Sequence, residues 1–181
     1  MNTSLLQGEL VRLTAGDPDK DAEKMAHWWR DTEFSRLLDS DPARPFTLAE
    51  IKDELKLDKP KENAFDFMIR ALAGDRLLGF VGLWVDWKNG NAWVGIGIGE
   101  REYWGRGYGT EAMKLALRYA FSELNLHRVT LGVFEYNTRA QRSYEKAGFK
   151  VEGRIRGELH RDGRRWDGVY MGILREEWAE M

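Results

Sequence analysis

Apolar and polar residues alternate through the middle of the chain in a way that predicts three consecutive β-strands. Residues 65–71 place an apolar side chain at every second position, and residues 77–87 form a longer, mostly apolar run. A third run, residues 92–98, follows Lys88-Asn-Gly-Asn91, whose Asn-Gly pair is a strong signal for a β-hairpin. Residues 6–13 alternate more weakly and predict a first strand. The middle of the chain is therefore predicted to be an antiparallel meander.

Helical spacing appears between the first strand and the meander. An acidic turn at residues 17–21 suits a helix start, and the helix that follows has apolar residues at i, i+3, i+4 and i+7, namely Ala22, Met25, Ala26 and Trp29. Thr47 and Glu50 form a capping-box pair, which begins a second helix predicted to end near Pro60. Two early helices are therefore expected to form one wall of a cleft.

A strand–helix–strand unit follows the meander. The helix is predicted after Gly109, with a buried face of Met113, Leu117, Ala120, Phe121 and Leu124. It leads to a strand at Arg128–Phe134, which should run parallel to residues 92–98. Asn137 then caps a short helix that carries Ala140, Tyr144 and Ala147, with Gly148 at the C-terminal cap position.

Two final strands, residues 149–153 and 165–174, with Gly163 in the turn between them, are predicted to complete the sheet. We therefore predict an α/β (α+β) fold with a mixed, mostly antiparallel sheet flanked by helices. Residues 1–181 are expected to form a single domain.

Composition narrows the classes of function. The 181 residues are 43% hydrophobic with a net charge of −2, so disorder and a dominant nucleic-acid partner are not expected. Cysteine is absent, which excludes disulfides, thiolate zinc sites and a cysteine nucleophile. The sequence shows neither a signal peptide nor an apolar run long enough to span a membrane, and no metal site is predicted. We expect a soluble, cytoplasmic protein.

The candidate chemistry centres on Trp104-Gly-Arg-Gly-Tyr-Gly-Thr-Glu-Ala112. Glycine exposes backbone N–H groups, and the helix start adds unpaired N–H groups and a positive dipole end, so this stretch predicts a phosphate or pyrophosphate site. A plain glycine-rich turn is the alternative. A nucleoside-triphosphate P-loop is disfavoured because no lysine follows Gly109. A dinucleotide fingerprint at Gly107-Tyr-Gly-Thr-Glu-Ala112 has Glu135 after the next strand, but too few strands follow Glu135 for that fold.

Three segments together resemble the GNAT family of acyl-CoA-dependent N-acetyltransferases, and most closely its branch of ribosomal-protein N-terminal and spermidine acetyltransferases. The segments are Tyr103-Trp-Gly-Arg-Gly-Tyr-Gly-Thr-Glu-Ala112, Leu124-Asn-Leu-His-Arg128 and Asn137-Thr-Arg-Ala-Gln-Arg-Ser-Tyr-Glu-Lys-Ala-Gly-Phe149. The resemblance implies a GNAT fold whose central parallel strands, residues 92–98 and 128–134, splay apart. It also implies acetyl-CoA as co-substrate, bound in the gap between these strands.

The resemblance implies a set of residues for donor binding. The pyrophosphate would lie on backbone N–H groups of the glycine stretch, and the pantetheine arm would pair with the first splayed strand. The implied donor-binding residues are Val94, Ile96, Ile98, Trp104, Gly105, Arg106, Gly107, Tyr108, Gly109, Thr110, Asn137 and Tyr144. Plain structural roles remain open for Arg106 as a solvated arginine, Asn137 as a helix cap and Tyr144 as a core tyrosine.

The resemblance also implies direct attack of a primary amine on the thioester, with catalytic roles for Tyr144, Asn137 and Glu33. Tyr144 would protonate the leaving thiolate, Asn137 would contact the CoA arm, and a backbone N–H near residues 94–98 would stabilise the oxyanion. Glu33 is one candidate for the general base. The others are Glu100, Glu111, Glu135, His127 and a water chain.

The amine itself stays open. A polyamine would suit an acidic pocket, for which Asp31, Glu33, Asp39 and Asp41 are candidates, whereas a protein N-terminal amine would suit an open groove. Trp84, Trp87 and Trp93 could line either kind of acceptor site. The basic run from Arg154 to Arg165 would bind an acidic partner or the CoA 3′-phosphate. The alternative is that it forms a solvated hairpin. A homodimer is compatible with the resemblance, and a non-catalytic acyl-CoA-binding module on the same fold is the alternative function.

Overall fold

The computed structural model describes residues 4–56 and 62–181, and the strands within them form a seven-stranded sheet. The strands are β1 Val11–Thr14, β2 Ala64–Ala71, β3 Leu77–Asp86, β4 Asn91–Ile98, β5 Arg128–Phe134, β6 Lys150–Arg161 and β7 Arg164–Leu174. They lie in the order β1-β2-β3-β4-β5-β7-β6, and all neighbouring strands are antiparallel except β4 and β5. The predicted mixed, mostly antiparallel sheet is confirmed.

The helices cover both faces of this sheet. They are α1 Pro18–Trp28, α2 Thr32–Leu38, α3 Leu48–Leu55, α4 Tyr108–Arg118, α5 Thr138–Lys146 and α6 Arg175–Ala179, and a π-helical turn at Tyr119–Glu123 extends α4. Helices α1 to α3 pack on one face in a cluster that includes Trp28, Phe34 and Ile51. The larger cluster on the other face includes Met113, Leu117 and Phe121, which face Val129 and Leu131 of β5. No helix in the described part of the chain is long and apolar enough to cross a membrane.

The chain start and the segment before the meander differ from the predictions. The first strand is shorter and later than residues 6–13, because the chain turns back on itself there and Leu13 donates its N–H to the Leu6 carbonyl. A third early helix, α2, was not predicted. Its N-terminus is capped by the Asp31 carboxylate, which accepts from the N–H groups of Glu33 and Phe34. The capping-box helix α3 ends at Leu55, and Pro60 lies outside the described residues.

The later elements follow the predictions more closely. Strand β5 has the predicted bounds, Asn137 caps α5 by accepting from the Ala140 N–H, and Gly148 has a left-handed φ of 104° after that helix. Strand β6 is longer than residues 149–153, because it stays paired with β7 up to the turn at Gly163.

The parallel pair β4–β5 is incomplete, and this positions the site. The two strands pair only at Asn91 with Arg128, Ala92 with Val129 and Trp93 with Thr130. Beyond Trp93 they diverge, which confirms the predicted splay. The edge of β4 that faces the gap therefore carries backbone groups that no strand pairs with, over the residues after Trp93.

Candidate active site

A cleft of about 650 Å³ opens where β4 and β5 diverge. One wall is β4 from Val94 to Ile98, and the other is β5 from Gly132 to Phe134. Side chains of α2, namely Phe34, Leu37 and Leu38, border it on one side of the sheet, and the starts of α4 and α5 border it on the other. Two of the three segments that carry the family resemblance, residues 103–112 and 137–149, therefore line one cavity, whereas residues 124–128 lie outside its lining.

The glycine stretch forms one end of this cleft. Gly105 and Gly107 have left-handed φ angles of 72° and 92°, which residues with a Cβ rarely adopt. Gly107 is the N-cap of α4 and offers no side chain to the first-turn N–H groups. Among the described residues, no acceptor bonds the backbone N–H groups of residues 105–110. This set of open donors at a helix N-terminus is suited to a phosphate or pyrophosphate.

The side chains within the glycine stretch have separate roles. The Trp104 indole N–H donates to the Ile98 carbonyl at 2.6 Å, which ties the loop to the end of β4. Arg106 donates to the Glu102 carbonyl, and Tyr108 packs edge-on against Tyr103. The side chains of Arg106 and Tyr108 therefore turn away from the cavity, whereas Trp104, Gly105, Gly107, Gly109 and Thr110 line it.

Basic residues of α4 and α5 also line the cleft, and they were not predicted as site residues from the sequence. They are Lys114, Arg139, Arg142 and Lys146. Arg139, Arg142 and Lys146 recur at spacings of three and four in α5, so they share a helix face. This spacing could have identified them from the sequence. The Arg139 guanidinium stacks 3.6 Å from the centre of the Trp104 ring. Positive charge thus lies beside the open N–H groups.

Tyr144 projects from α5 into the cleft and packs edge-on against Phe149. Burial raises the pKa of the Tyr144 hydroxyl to about 12, and the nearby Arg139 charge offsets only part of this effect. The hydroxyl is therefore protonated at neutral pH. No group in the described part of the chain forms a hydrogen bond with it, so its proton is available to a bound molecule.

Asn137 is buried at the junction of β5 and α5 and lines the cleft. Its Nδ2 donates to the Leu37 carbonyl at 3.2 Å, and its Oδ1 caps α5. The side chain therefore holds the end of α2 against the start of α5. The cap role is confirmed, while a contact with a CoA arm stays a prediction.

The candidates for a general base do not lie together in the cleft. Glu33 lies at the start of α2, half-exposed, and its carboxylate pairs with Arg101 at 2.6 Å rather than lining the cleft. Glu111 borders the cleft, but its carboxylate accepts the N–H groups of Glu9, Leu10 and Val11. Glu135 accepts from the Asp167 N–H, and the side chain of His127 is exposed.

Glu100 belongs to a second, smaller cavity beside α1. Burial would raise the pKa of its carboxylate, but hydrogen bonds from Lys24, Trp28 and Arg76 outweigh burial and hold the pKa below its ordinary value. A carboxylate held ionised by two cations is a weak proton acceptor, so Glu100 is a structural ion-pair centre.

The tryptophans and the basic run lie outside the cleft. Trp84 and Trp93 are on the open part of one sheet face, and Trp87 is in the hairpin between β3 and β4. Within the basic run, Arg161 bonds the end of α2, donating to the Arg36 carbonyl, the Tyr136 hydroxyl and the carbonyls of residues 39–41. Among the acidic residues suggested for a polyamine pocket, Asp31 pairs with Arg101.

Comparison with known proteins identifies this architecture. A protein-family model described as "Acetyltransferase (GNAT) domain" matches residues 11–150. The chain belongs to the GNAT acetyltransferase family. The matched span contains the glycine loop, both splayed strands and Tyr144. This membership supports catalytic acetyl transfer and not the non-catalytic binding module, and the family uses acetyl-CoA as donor.

Individual GNAT relatives agree with this assignment. The chain is 27% identical over 165 residues to the uncharacterized N-acetyltransferase p20 of Bacillus licheniformis, covering 88% of this chain and 90% of that protein. It is 38% identical over 77 residues to spermidine N(1)-acetyltransferase of Escherichia coli K12, covering 42% of this chain and 41% of that enzyme. It is 35% identical over 94 residues to the putative ribosomal N-acetyltransferase YdaF of Bacillus subtilis, covering 52% and 51%.

Among solved structures, the spermidine N-acetyltransferase of Vibrio cholerae in complex with CoA and spermine superposes with a TM-score of 0.82. The match is 24% identical in sequence and covers 93% of this chain and 98% of that one. At this identity the similarity shows the GNAT fold alone.

Proposed function

We propose that this protein transfers the acetyl group of acetyl-CoA to a primary amine by direct attack of the amine on the thioester. The observation that carries the proposal is the gap between β4 and β5, which has open N–H donors at one end and the protonated Tyr144 hydroxyl within it. The cysteine-free chain cannot form a cysteine acyl-enzyme, which favours direct transfer.

Donor binding follows from the groups that line the cleft. The N–H groups of residues 105–110 suit the pyrophosphate, and Lys114, Arg142 and Lys146 would add charge for the phosphates. The unpaired edge of β4, at Val94, Ile96 and Ile98, would bond the pantetheine amides as an added strand does. The same edge offers a backbone N–H to the developing oxyanion.

The reaction requires one new N–C bond and the breaking of one C–S bond. The neutral amine would attack the carbonyl carbon, and the departing sulfur would take the Tyr144 proton. A pKa raised to about 12 keeps the Tyr144 hydroxyl protonated before the reaction. After the transfer, the tyrosinate would be reprotonated by the amine proton through solvent.

Solvent is proposed to carry the amine proton away from the cleft. Glu33 remains a candidate acceptor at the outer end of that path, because it precedes the cleft-lining Phe34, but its ion pair with Arg101 lowers its availability. Asn137 is proposed to act at the CoA arm while it fixes the position of α2.

The acceptor is proposed to be a small polyamine or a protein N-terminal amine, the classes named in the spermidine and ribosomal relatives. A cytoplasmic location, a single domain and a homodimer belong to the same proposal.

A thiol-release assay tests the proposal directly. Purified protein with acetyl-CoA is assayed against polyamines, amino-acid amides and N-terminal peptides, and the acetylated product is identified by mass spectrometry. Release of one thiol per acetylated amine supports the proposal. CoA binding without turnover of any amine would contradict it.

A further inference from the structure

The charged side chains that line the cleft are mostly cationic. In the described part of its lining, Glu111 is the one carboxylate, whereas the cations are Lys114, Arg139, Arg142 and Lys146. The Glu111 carboxylate accepts three backbone N–H groups from residues 9–11, which hold it at the start of the chain. The cleft should therefore repel an acceptor with several positive charges and attract one that carries an anionic group.

Arg139 reaches a different side of the gap from the basic residue of α4. It lies in the first turn of α5, and its guanidinium is 3.6 Å from the centre of the Trp104 ring. Trp104 packs against the apolar cluster of α1 to α3, whereas Lys114 belongs to α4 on the other face of the sheet. Arg139 therefore extends across the gap, towards the face that α1 to α3 cover.

The Arg139 guanidinium lies near the acid and lacks an anionic partner. Burial raises the pKa of Tyr144, and the charge of Arg139 is close enough to offset part of this effect. Burial also lowers the pKa of Arg139, which Glu33 partly offsets, but the Glu33 carboxylate pairs with Arg101 at 2.6 Å. Within residues 4–56 and 62–181, no carboxylate forms an ion pair with Arg139. Its planar fork of N–H donors is thus open to an anion that binds beside Tyr144.

Apolar side chains of α2 line the cleft on the same face of the sheet, namely Phe34, Leu37 and Leu38. Because the open N–H groups suited to the donor phosphates lie at the start of α4, this face is left for the approach of the amine. Asp31 and Glu33, both considered for a polyamine pocket, pair with Arg101 and do not line the cleft. The acceptor side therefore combines apolar surface with one unpaired guanidinium.

We infer that Arg139 binds a carboxylate of the acceptor and thereby selects primary amines that carry an anionic group close to the reacting nitrogen. This inference rests on the proposed function and favours its peptide acceptors over polyamines, whose remaining charges are all positive. The carboxylate has two sources: the acidic second residue of a peptide, or the α-carboxylate of a free amino acid. In both, the guanidinium fork would hold the carboxylate while the amine faces the thioester.

Matched acceptor pairs test this role and separate the two sources. The kcat/KM of Ala-Glu-amide is compared with that of Ala-Gln-amide, and the kcat/KM of leucine with that of leucinamide. The ratio within each pair is measured for the wild type, Arg139→Gln and Arg139→Lys, so that the intrinsic reactivity of each amine cancels between variants. Arg142→Gln, on the same face of α5, is the matched control.

In at least one pair, the preference for the carboxylate should fall about tenfold from the wild type to Arg139→Gln, as the loss of a charged hydrogen bond allows. The fall should come from the acceptor KM, with the KM for acetyl-CoA unchanged, and Arg139→Lys should keep part of the preference. Arg142→Gln should raise the KM for acetyl-CoA and keep the preference. The pair that responds identifies the source of the carboxylate.

Two results would overturn the inference and leave the proposed function intact. One is an equal ratio in the wild type and Arg139→Gln for both pairs, which includes the case where only polyamines are acetylated. The other is an Arg139→Gln variant that, like Arg142→Gln, raises only the KM for acetyl-CoA, because Arg139 would then hold the donor phosphates.

A failure of the proposed function gives a different result. If no amine is acetylated, Ala-Glu-amide and leucine are titrated calorimetrically into each variant saturated with CoA. Binding that is lost in Arg139→Gln and kept in Arg142→Gln supports Arg139 as a carboxylate site. Equal binding in both variants, or no binding to the wild type, overturns it.

Discussion

The hydroxyl groups of Thr110 and Ser143 lie 2.7 Å apart and join the first turn of α4 to α5. Thr110 belongs to the glycine stretch, and Ser143 immediately precedes Tyr144. The hydrogen bond therefore couples the element suited to hold the donor phosphates to the element that carries the acid.

Removal of this bond should affect catalysis modestly. Thr110→Val keeps the shape of the side chain and removes the donor and acceptor, and the net loss of about 1 kcal/mol corresponds to roughly a fivefold fall in kcat/KM for acetyl-CoA. A double-mutant cycle with Ser143→Ala should show coupling, measured from the same initial rates. Strictly additive effects would mean that the two hydroxyls act independently.

The left-handed glycine at the start of α4 gives a second prediction. Gly107→Ala places a Cβ at a φ of 92°, which costs about 1–2 kcal/mol of stability and displaces the N–H donors. We expect a raised KM for acetyl-CoA together with a lower Tm. Gly163→Ala, at a φ of 69° in the β6–β7 turn with no atom near the added Cβ, is the control. It should lower Tm and leave the KM unchanged, and a similar KM in both variants would contradict the role of Gly107.

The free energy of unfolding at low pH should depend on Glu100. Because its folded pKa lies below the ordinary 4.5, its ion pairs stabilise the fold above pH 4.5 and lose this effect as pH falls through the lower folded pKa. Glu100→Gln removes the carboxylate that pairs with Lys24 and leaves Arg76 paired with Glu102, and it should cost about 1–3 kcal/mol at pH 7. Urea unfolding at pH 7 and pH 3 measures this, and the difference between variant and wild type should shrink at pH 3. A constant difference would contradict the assignment.

The guanidinium of Arg161 should set the position of the α2 side of the cleft. It bonds backbone carbonyls at the end of α2 and in residues 39–41, and Phe34 and Leu38 of α2 line the cleft. Arg161→Lys keeps the charge but loses the planar fork, so we expect the KM for the amine to rise about fivefold with the KM for acetyl-CoA unchanged. Arg164→Lys, on the same hairpin and stacked on Trp166, is the control. Equal amine KM values in the two variants would exclude this positioning role.

Periodicity and turn chemistry predicted the frame of this molecule. Alternation located β2, β3, β4 and β5 to within a residue or two, and the side-chain oxygen of Asn137 identified the start of α5. These signals are local, since they depend on neighbours within one or two turns. The two-turn helix α2 was missed because seven residues are too few for a period to emerge.

Features that depend on tertiary contacts could not be predicted from the sequence. The pairing of Glu33 with Arg101 joins segments that are distant in the chain, and no local pattern in either segment specifies it. Trp84 and Trp93 lie within predicted strands, but their exposure and their position outside the cleft depend on which elements pack over the sheet. The spacing of Arg139, Arg142 and Lys146 was visible, and its meaning depended on the cleft beside α5.

A single substitution tests whether Tyr144 protonates the leaving thiolate. Tyr144→Phe removes the hydroxyl and keeps the ring against Phe149. We measure thiol release under saturating acetyl-CoA and amine, together with the calorimetric Kd for CoA. We expect a fall in kcat of at least about 100-fold with an unchanged Kd for CoA. An unchanged kcat would contradict it.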